Sequence, residues 1–432
     1  MSALKIGVIY LSGAFVRFWL MNYSGLRQMI EDRVEISTPI NSWKRVTEGV
    51  HLMKNDISPY DGDLFHETPL GLFAFSWLLT LKQPFLDLFF IFVDALTCFC
   101  LQMVAESYSS QALEKEKENK KKYAEDSHGI LLTEDQVKRI PLYVIFCYNF
   151  NPYTILSCVG RTTSGFNNFF VALTLLFMCK GWLFLCSAAL AVATYQAFYT
   201  VVFIVPACMY IVQQKKMQKV WPTVSIMVIS FAVFLGSLFY LSMLYTDSWA
   251  FLTSTYKFLI LVPDLRPNVG LFWYFFTEMF EHFRALFVCA FQINCFLYLA
   301  PLALRLRKEP MLLAFSLAAL STVFRSYPSI SDLGFYFGML PIWLHLLPYM
   351  QQGFVVCCFI LFSSGLGPVV WQLWIYMRSG NANFYFGVTL AFATAQIFLI
   401  TDILFAHIKR EFTLVNGTKR ELNGKPAKLV LE

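Results

Sequence analysis

Arg378-Ser379-Gly380-Asn381-Ala382-Asn383-Phe384-Tyr385 brings together the groups that a phosphorylated glycan requires. The Arg378 guanidinium can meet phosphate through charge-assisted hydrogen bonds. The Asn381 and Asn383 carboxamides can both donate to and accept from sugar hydroxyls. Phe384 and Tyr385 suit the aromatic belt at a membrane surface. The same residues also have a plainer use, because Gly and Asn make turns and aromatic rings anchor helix ends.

A second cluster follows Pro263, Pro267 and Gly270, which mark a turn. Asp264 and Asn268 lie in that turn. Glu278, Glu281 and His282 follow in an aromatic run at helical spacing, which predicts Glu278 and Glu281 on one face with His282 one turn after Glu278. Acids and a histidine at a membrane boundary are costly unless paired or wet. Asp264, Asn268, Glu278 and His282 are therefore candidates for lipid-headgroup contact. Packing against other spans or subunits, and metal or catalytic use, are the competing readings.

A third set lies in the stretch 31–49, where Glu31, Asp32 and Glu35 are interleaved with Arg33, Asn41 and Lys44. A general base must be an ionisable acceptor within reach of its proton, and Glu35 is the candidate. A cysteine nucleophile needs a thiolate beside a histidine in a polar, accessible place. All 11 cysteines lie inside apolar runs, and His51, His66 and His282 have no thiol neighbour in sequence. The cysteines read as small buried hydrophobes. Neither disulfides nor metal ligation is indicated, and no cofactor is implied.

The elements that must position these groups are membrane helices. Of 432 residues, 57% are hydrophobic and only 14% charged, and the mean hydropathy is +0.55. A soluble domain has about 45–50% and 25%, so cytosolic enzymes, disordered scaffolds and soluble nucleic-acid binders are excluded. A crossing needs roughly 17–25 apolar residues. Candidate spans lie near 4–21, 86–105, 141–158, 167–179, 182–195, 196–212, 223–245, 285–304, 311–325, 333–349, 354–376 and 384–407. The stretches 70–81 and 271–283 read as interfacial or re-entrant helices. Residues 42–53 have helical periodicity, with Trp43, Val46, Val50 and Met53 on one face. The expected fold is all-α: one integral membrane domain over 1–432, a polytopic bundle of about 12 spans.

Lys and Arg set the sides. With the N-terminus in the cytosol, 21 of the 34 Lys and Arg fall in cytosolic segments and 12 on the other side, which places both termini in the cytosol. The expected loops are lumenal at 22–69 and 246–270 and cytosolic at 106–140, with a cytosolic tail at 408–432. The mixed charges of 114–122 read as a solvated helix or a tether. Asp94 and Asp402 stand inside spans, where acids are functional suspects by default. No chain of acids crosses many spans, so pairing with a polar neighbour is the expected role.

The first loop resembles that of the GT-C mannosyltransferases that build glycosylphosphatidylinositol (GPI). Aligned on Val46-Thr47-Glu48-Gly49, that family's acidic pair falls on Arg33 and Glu35, and its next acid falls on Asn41. The resemblance implies a GT-C-like frame with a dismantled catalytic site. A closer and longer resemblance rests on SWKRVTEG (42–49), SPYDGDLFHETPL (58–70), NPYTILSCV (151–159), VPDLRPNVGLFWYFFTEMFEHF (262–283), SYPSISD (326–332) and WQLWIYMRSGNANFYFGVTL (371–390). In this order they resemble the PIG-U family, polytopic subunits of the GPI transamidase complex. The resemblance implies a multi-pass protein of the endoplasmic reticulum membrane. It implies a non-catalytic role, in which the chain helps bind and present GPI while a Cys–His protease subunit performs acyl transfer. The implied partners are the other polytopic and lumenal subunits, GPI, the C-terminal signal of the proprotein and membrane lipids. An active mannosyltransferase using Glu35 and a lipid or solute transporter are the rival readings.

Overall fold

The computed structural model describes residues 3–214, 220–419, 421–422 and 425–426. The remaining parts of the segments assigned to the cytosol, including Lys215, Lys216, Lys219, Arg420 and Lys428, lie outside the described residues. The regular structure of the described residues is helical, apart from a two-residue antiparallel ladder pairing 421–422 with 425–426. Prolines open several helices: Pro69, Pro84, Pro152 and Pro310 each stand in a first turn, where the missing N–H would have had no intrahelical partner.

Among the described residues, seven helices are long and apolar enough to cross a membrane: Leu4–Asn22, Gln83–Lys122, Val220–Thr246, Glu281–Arg305, Ile330–Tyr349, Gly353–Tyr376 and Ala382–Asn416. An eighth crossing results if Glu125–Asn149 and Pro152–Val159, bent by 48° at Phe150-Asn151, form one span. The other expected spans are helical but short: Ser164–Lys180, Leu183–Gln196, Phe198–Gln214 and Pro310–Phe324. Tight breaks cut them down. Gly181, left-handed at φ 70°, ends one helix just before the next begins. Pro310–Phe324 is buried on every side, as befits a helix that is apolar all round.

Ion pairs lock the bundle where apolar packing alone would leave charges stranded. Arg17 Nε lies 2.7 Å from Asp94 Oδ2, while its Nη1 donates to the Asn149 carbonyl at 2.8 Å and its Nη2 to Thr154 Oγ1 at 3.2 Å. The Tyr148 hydroxyl donates to the other Asp94 oxygen at 2.9 Å. Asp94 thus has the polar partner expected for it. Arg161 Nε donates to buried Asp87 at 2.8 Å, and Arg325 Nη1 lies 2.9 Å from Asp332. Asp402 accepts from the Gln351 and Gln352 amides, both at 2.9 Å.

The helix expected over 42–53 spans Trp43–Lys54 with Trp43, Val46 and Val50 buried. The stretch 106–140 is less tether-like than its charges suggest. The helix from Gln83 continues to Asn119, and Glu116 then holds the Leu132 amide at 2.8 Å and Arg410 at 2.7 Å. The expectation of one helix across 271–283 is corrected. Met279 (ψ 143°) and Phe280 (ψ 134°) are extended, so one helix ends at Glu278 and another begins at Glu281. Glu278 therefore shares no helical face with Glu281 and His282. Glu281 instead lies 3.9 Å from Arg284.

Candidate functional site

A cavity of about 850 Å³ opens between Glu134–Asn149, Pro152–Val159, Ile330–Met339, Gly353–Trp371 and the last helix. Its walls are almost wholly apolar, with Phe146, Tyr153, Ile360, Val388 and Phe392 among them. On Gly353–Trp371 the lining runs from Gly353 to Pro368, about 22 Å at 1.5 Å per residue. Phe146 and Leu361, 54% and 66% exposed, leave one side open. The volume falls within the roughly 300–1,000 Å³ of ligand pockets, and the shape is a long groove facing outward.

Charge is confined to one end. Arg33 clamps Glu35 through two hydrogen bonds, Nε to Oε2 at 3.0 Å and Nη2 to Oε1 at 2.7 Å. The Tyr385 hydroxyl adds a third to Oε1 at 3.1 Å, and the Ile330 amide fixes the Glu35 carbonyl at 3.1 Å. Tyr385 is only 1% exposed. Its ring is held by Trp371 at 5.1 Å, Trp273 at 6.0 Å and Trp374 at 6.1 Å. Such a bidentate pair is geometrically specific and presents both signs of charge at the mouth of an apolar channel.

Of the nine sequence candidates, Tyr385 lines this groove. Asn381 caps the last helix, accepting from the Phe384 amide at 3.2 Å. Asn383 accepts the Tyr274 hydroxyl. Arg378 is exposed at the turn in left-handed backbone (φ 54°), and Phe384 is exposed beside it. Asp264 binds the first loop, 3.2 Å from Arg45 Nη2, while its carbonyl accepts the Tyr327 hydroxyl at 2.9 Å. Asn268 is buried and turns the chain, accepting from the Gly270 amide at 2.7 Å. Glu278 and His282 are exposed on either side of the helix break. Thus the 261–270 turn and the 378–385 turn do not converge on one polar site. Arg33 and Glu35 also line the groove; the sequence marked Glu35 only as a general-base candidate and Arg33 only as standing in place of a family acid, and neither as a lipid contact. Their signal was opposite charge two residues apart within the charged run Glu31-Asp32-Arg33-Val34-Glu35.

A sequence model of the family described as GPI transamidase subunit PIG-U matches residues 11–392. The chain belongs to the PIG-U family. It is 40% identical over 418 residues to the GPI-anchor transamidase component PIGU of Homo sapiens and likewise to that of Cricetulus griseus, spanning 95% of each chain in both cases. It is 28% identical over 393 residues to the GPI transamidase component GAB1 of Saccharomyces cerevisiae, covering 90% of this chain and 91% of that one.

In this PIG-U family member every cysteine is unpaired and helical. Seven are buried as expected, while Cys147, Cys289, Cys357 and Cys358 are exposed on apolar helices rather than in the polar surroundings that stabilise a thiolate. Glu35, whose two oxygens are held by Arg33, is poorly placed to take a proton from a sugar hydroxyl.

Proposed function

We propose that this chain is the non-catalytic subunit of GPI transamidase that binds GPI and presents it for attachment to proproteins. The observation that carries the reading is the outward-facing apolar groove with one ionic end at Arg33, Glu35 and Tyr385. Acyl chains lie along Gly353–Pro368 and the facing last helix. The phosphate-bearing headgroup stands at the lumenal mouth, where Arg378, Asn381 and Asn383 supply a cation and amides at the adjoining turn. Asp264, Asn268, Glu278 and His282 are outer headgroup or partner contacts.

The chain sits in the endoplasmic reticulum membrane with both termini in the cytosol, in a GT-C-like frame of about twelve crossings. The short helices between Ser164 and Phe324 supply the further crossings as packed inner segments. Another subunit carries the cysteine nucleophile, and the proprotein signal enters beside the groove.

Leu361→Trp tests the reading, because Leu361 lies on the open side of the groove. The expected result is a clear loss of surface GPI-anchored reporter while the variant still co-precipitates the other subunits. Normal reporter with the tryptophan in place contradicts it.

A further inference from the structure

The opposite end of the bundle carries a second arrangement. Arg305, Leu306, Arg307, Lys308, Glu309, His407 and Glu411 enclose a polar pocket of about 220 Å³. Arg305, Arg307 and Lys308 are exposed and form no ion pair with a described residue. Of the acids beside them, Glu309 pairs with Lys115 and accepts the Tyr108 hydroxyl at 3.1 Å. Glu411, 3.6 Å from the His407 ring, is left as a single acid against three cations. The pocket therefore offers a surplus of positive charge.

Arg307 also borders a separate apolar groove of about 410 Å³. Its walls are Ile204, Val205, Cys208, Val224 and Val228, on the helices Ile204–Gln214 and Val220–Thr246. The Gln213 side chain donates to the Arg307 carbonyl, which ties the groove to the cationic turn. In Val220–Thr246 only 11% of the most apolar window is buried, so this groove faces the membrane. A cationic pocket and an apolar channel sharing one arginine match the two ends of one molecule.

We propose that this is a binding site for an anionic phospholipid of the cytosolic leaflet. Its phosphate and acidic headgroup rest among Arg305, Arg307 and Lys308, and an acyl chain follows Val220–Val228. Basic pockets between membrane helices on the cytosolic side bind anionic headgroups in this way, each cation contributing about fivefold in affinity. The site lies at the other end of the bundle from the GPI groove and does not depend on it.

The test uses the assembled transamidase complex in nanodiscs of phosphatidylcholine doped with a photoactivatable phosphatidylserine or phosphatidylcholine bearing the same acyl probe. The expected result is labelling of peptides within 204–228 by the serine lipid, about fivefold or more above the choline lipid. Arg305→Gln with Arg307→Gln brings the two lipids level. Val224→Trp, which fills the groove and leaves the cations intact, removes the labelling as well. Equal labelling by both lipids in the wild type overturns the proposal. So does labelling unchanged in both variants, or competition by soluble glycerophosphoserine as strong as that by intact lipid.

Discussion

The Tyr385 hydroxyl donates to Glu35 at 3.1 Å, joining residues 350 positions apart at the polar mouth of the groove. A hydrogen bond to a charged group contributes about 1.5–3 kcal/mol. Tyr385→Phe should therefore loosen the mouth and lower surface GPI-anchored reporter about tenfold at limiting GPI, with assembly intact. Glu35→Gln should act in the same direction and leave GPI mannosylation unchanged. Flow cytometry of the reporter and analysis of mannolipid precursors on the same cells check both. Accumulation of unmannosylated precursors in Glu35→Gln would favour the mannosyltransferase reading.

Arg17 and Asp94 make a second, purely structural prediction. Arg17 is 1% exposed and enclosed by the Asn149 carbonyl, Thr154 and Asp94. Removing one partner of a buried pair costs about 3–5 kcal/mol, whereas replacing both by apolar residues is often neutral. Asp94→Leu should sharply lower the thermal stability of the chain in detergent, and Arg17→Leu with Asp94→Leu should restore much of it. A double variant no better than the single one would show that the pair itself is needed.

His66 gives a pH dependence. Its ring stacks on Phe258 at 3.5 Å and its Nδ1 lies 2.7 Å from the Ser254 carbonyl. Burial pushes the imidazole down from 6.5 to about 4, only partly offset by that hydrogen bond. The folded state thus binds fewer protons than the unfolded one. The contribution is fully present above pH 6.5 and is lost as pH falls toward about 4. Hydrogen exchange of residues 251–258 should accelerate across that window, and His66→Phe should flatten the response. Exchange that is independent of pH, after correction for intrinsic rates, contradicts it.

Asn381 and Arg378 separate capping from recognition. Asn381→Ala removes an N-cap and should cost about 1 kcal/mol of stability, with Asn381→Ser restoring it. Arg378 is exposed at the turn, so Arg378→Ala should leave thermal stability unchanged while lowering reporter anchoring. If Asn381→Ser restores stability but not anchoring, the amide itself touches sugar.

The helices were legible because hydrophobic runs and prolines are local signals. Trp43–Lys54 and the four longest apolar segments came directly from periodicity and length. The short inner helices were legible too, with breaks near Gly181 and Ala197 falling where the apolar runs were divided, but those breaks leave each shorter than the long spans. The break at Met279-Phe280 gave no proline or glycine signal, so Glu278 was placed on a helix face it does not share. At the site, Tyr385 and Glu35 were each singled out by the sequence, but for other roles: Tyr385 for the interfacial belt, whereas it is buried among tryptophans, and Glu35 as a general base. Their contact was not legible, because it depends on packing between the first loop and the last helix. The groove itself is a tertiary object, assembled from the first loop and five helices whose apolar residues look individually like ordinary membrane-facing side chains.

The most direct measurement is a map of the assembled complex prepared with GPI bound. The account predicts acyl-chain density along Gly353–Pro368 and Val388–Leu399, leading to headgroup density beside Arg33, Glu35 and Tyr385. A partner helix filling that groove, with GPI held elsewhere in the complex, would contradict it.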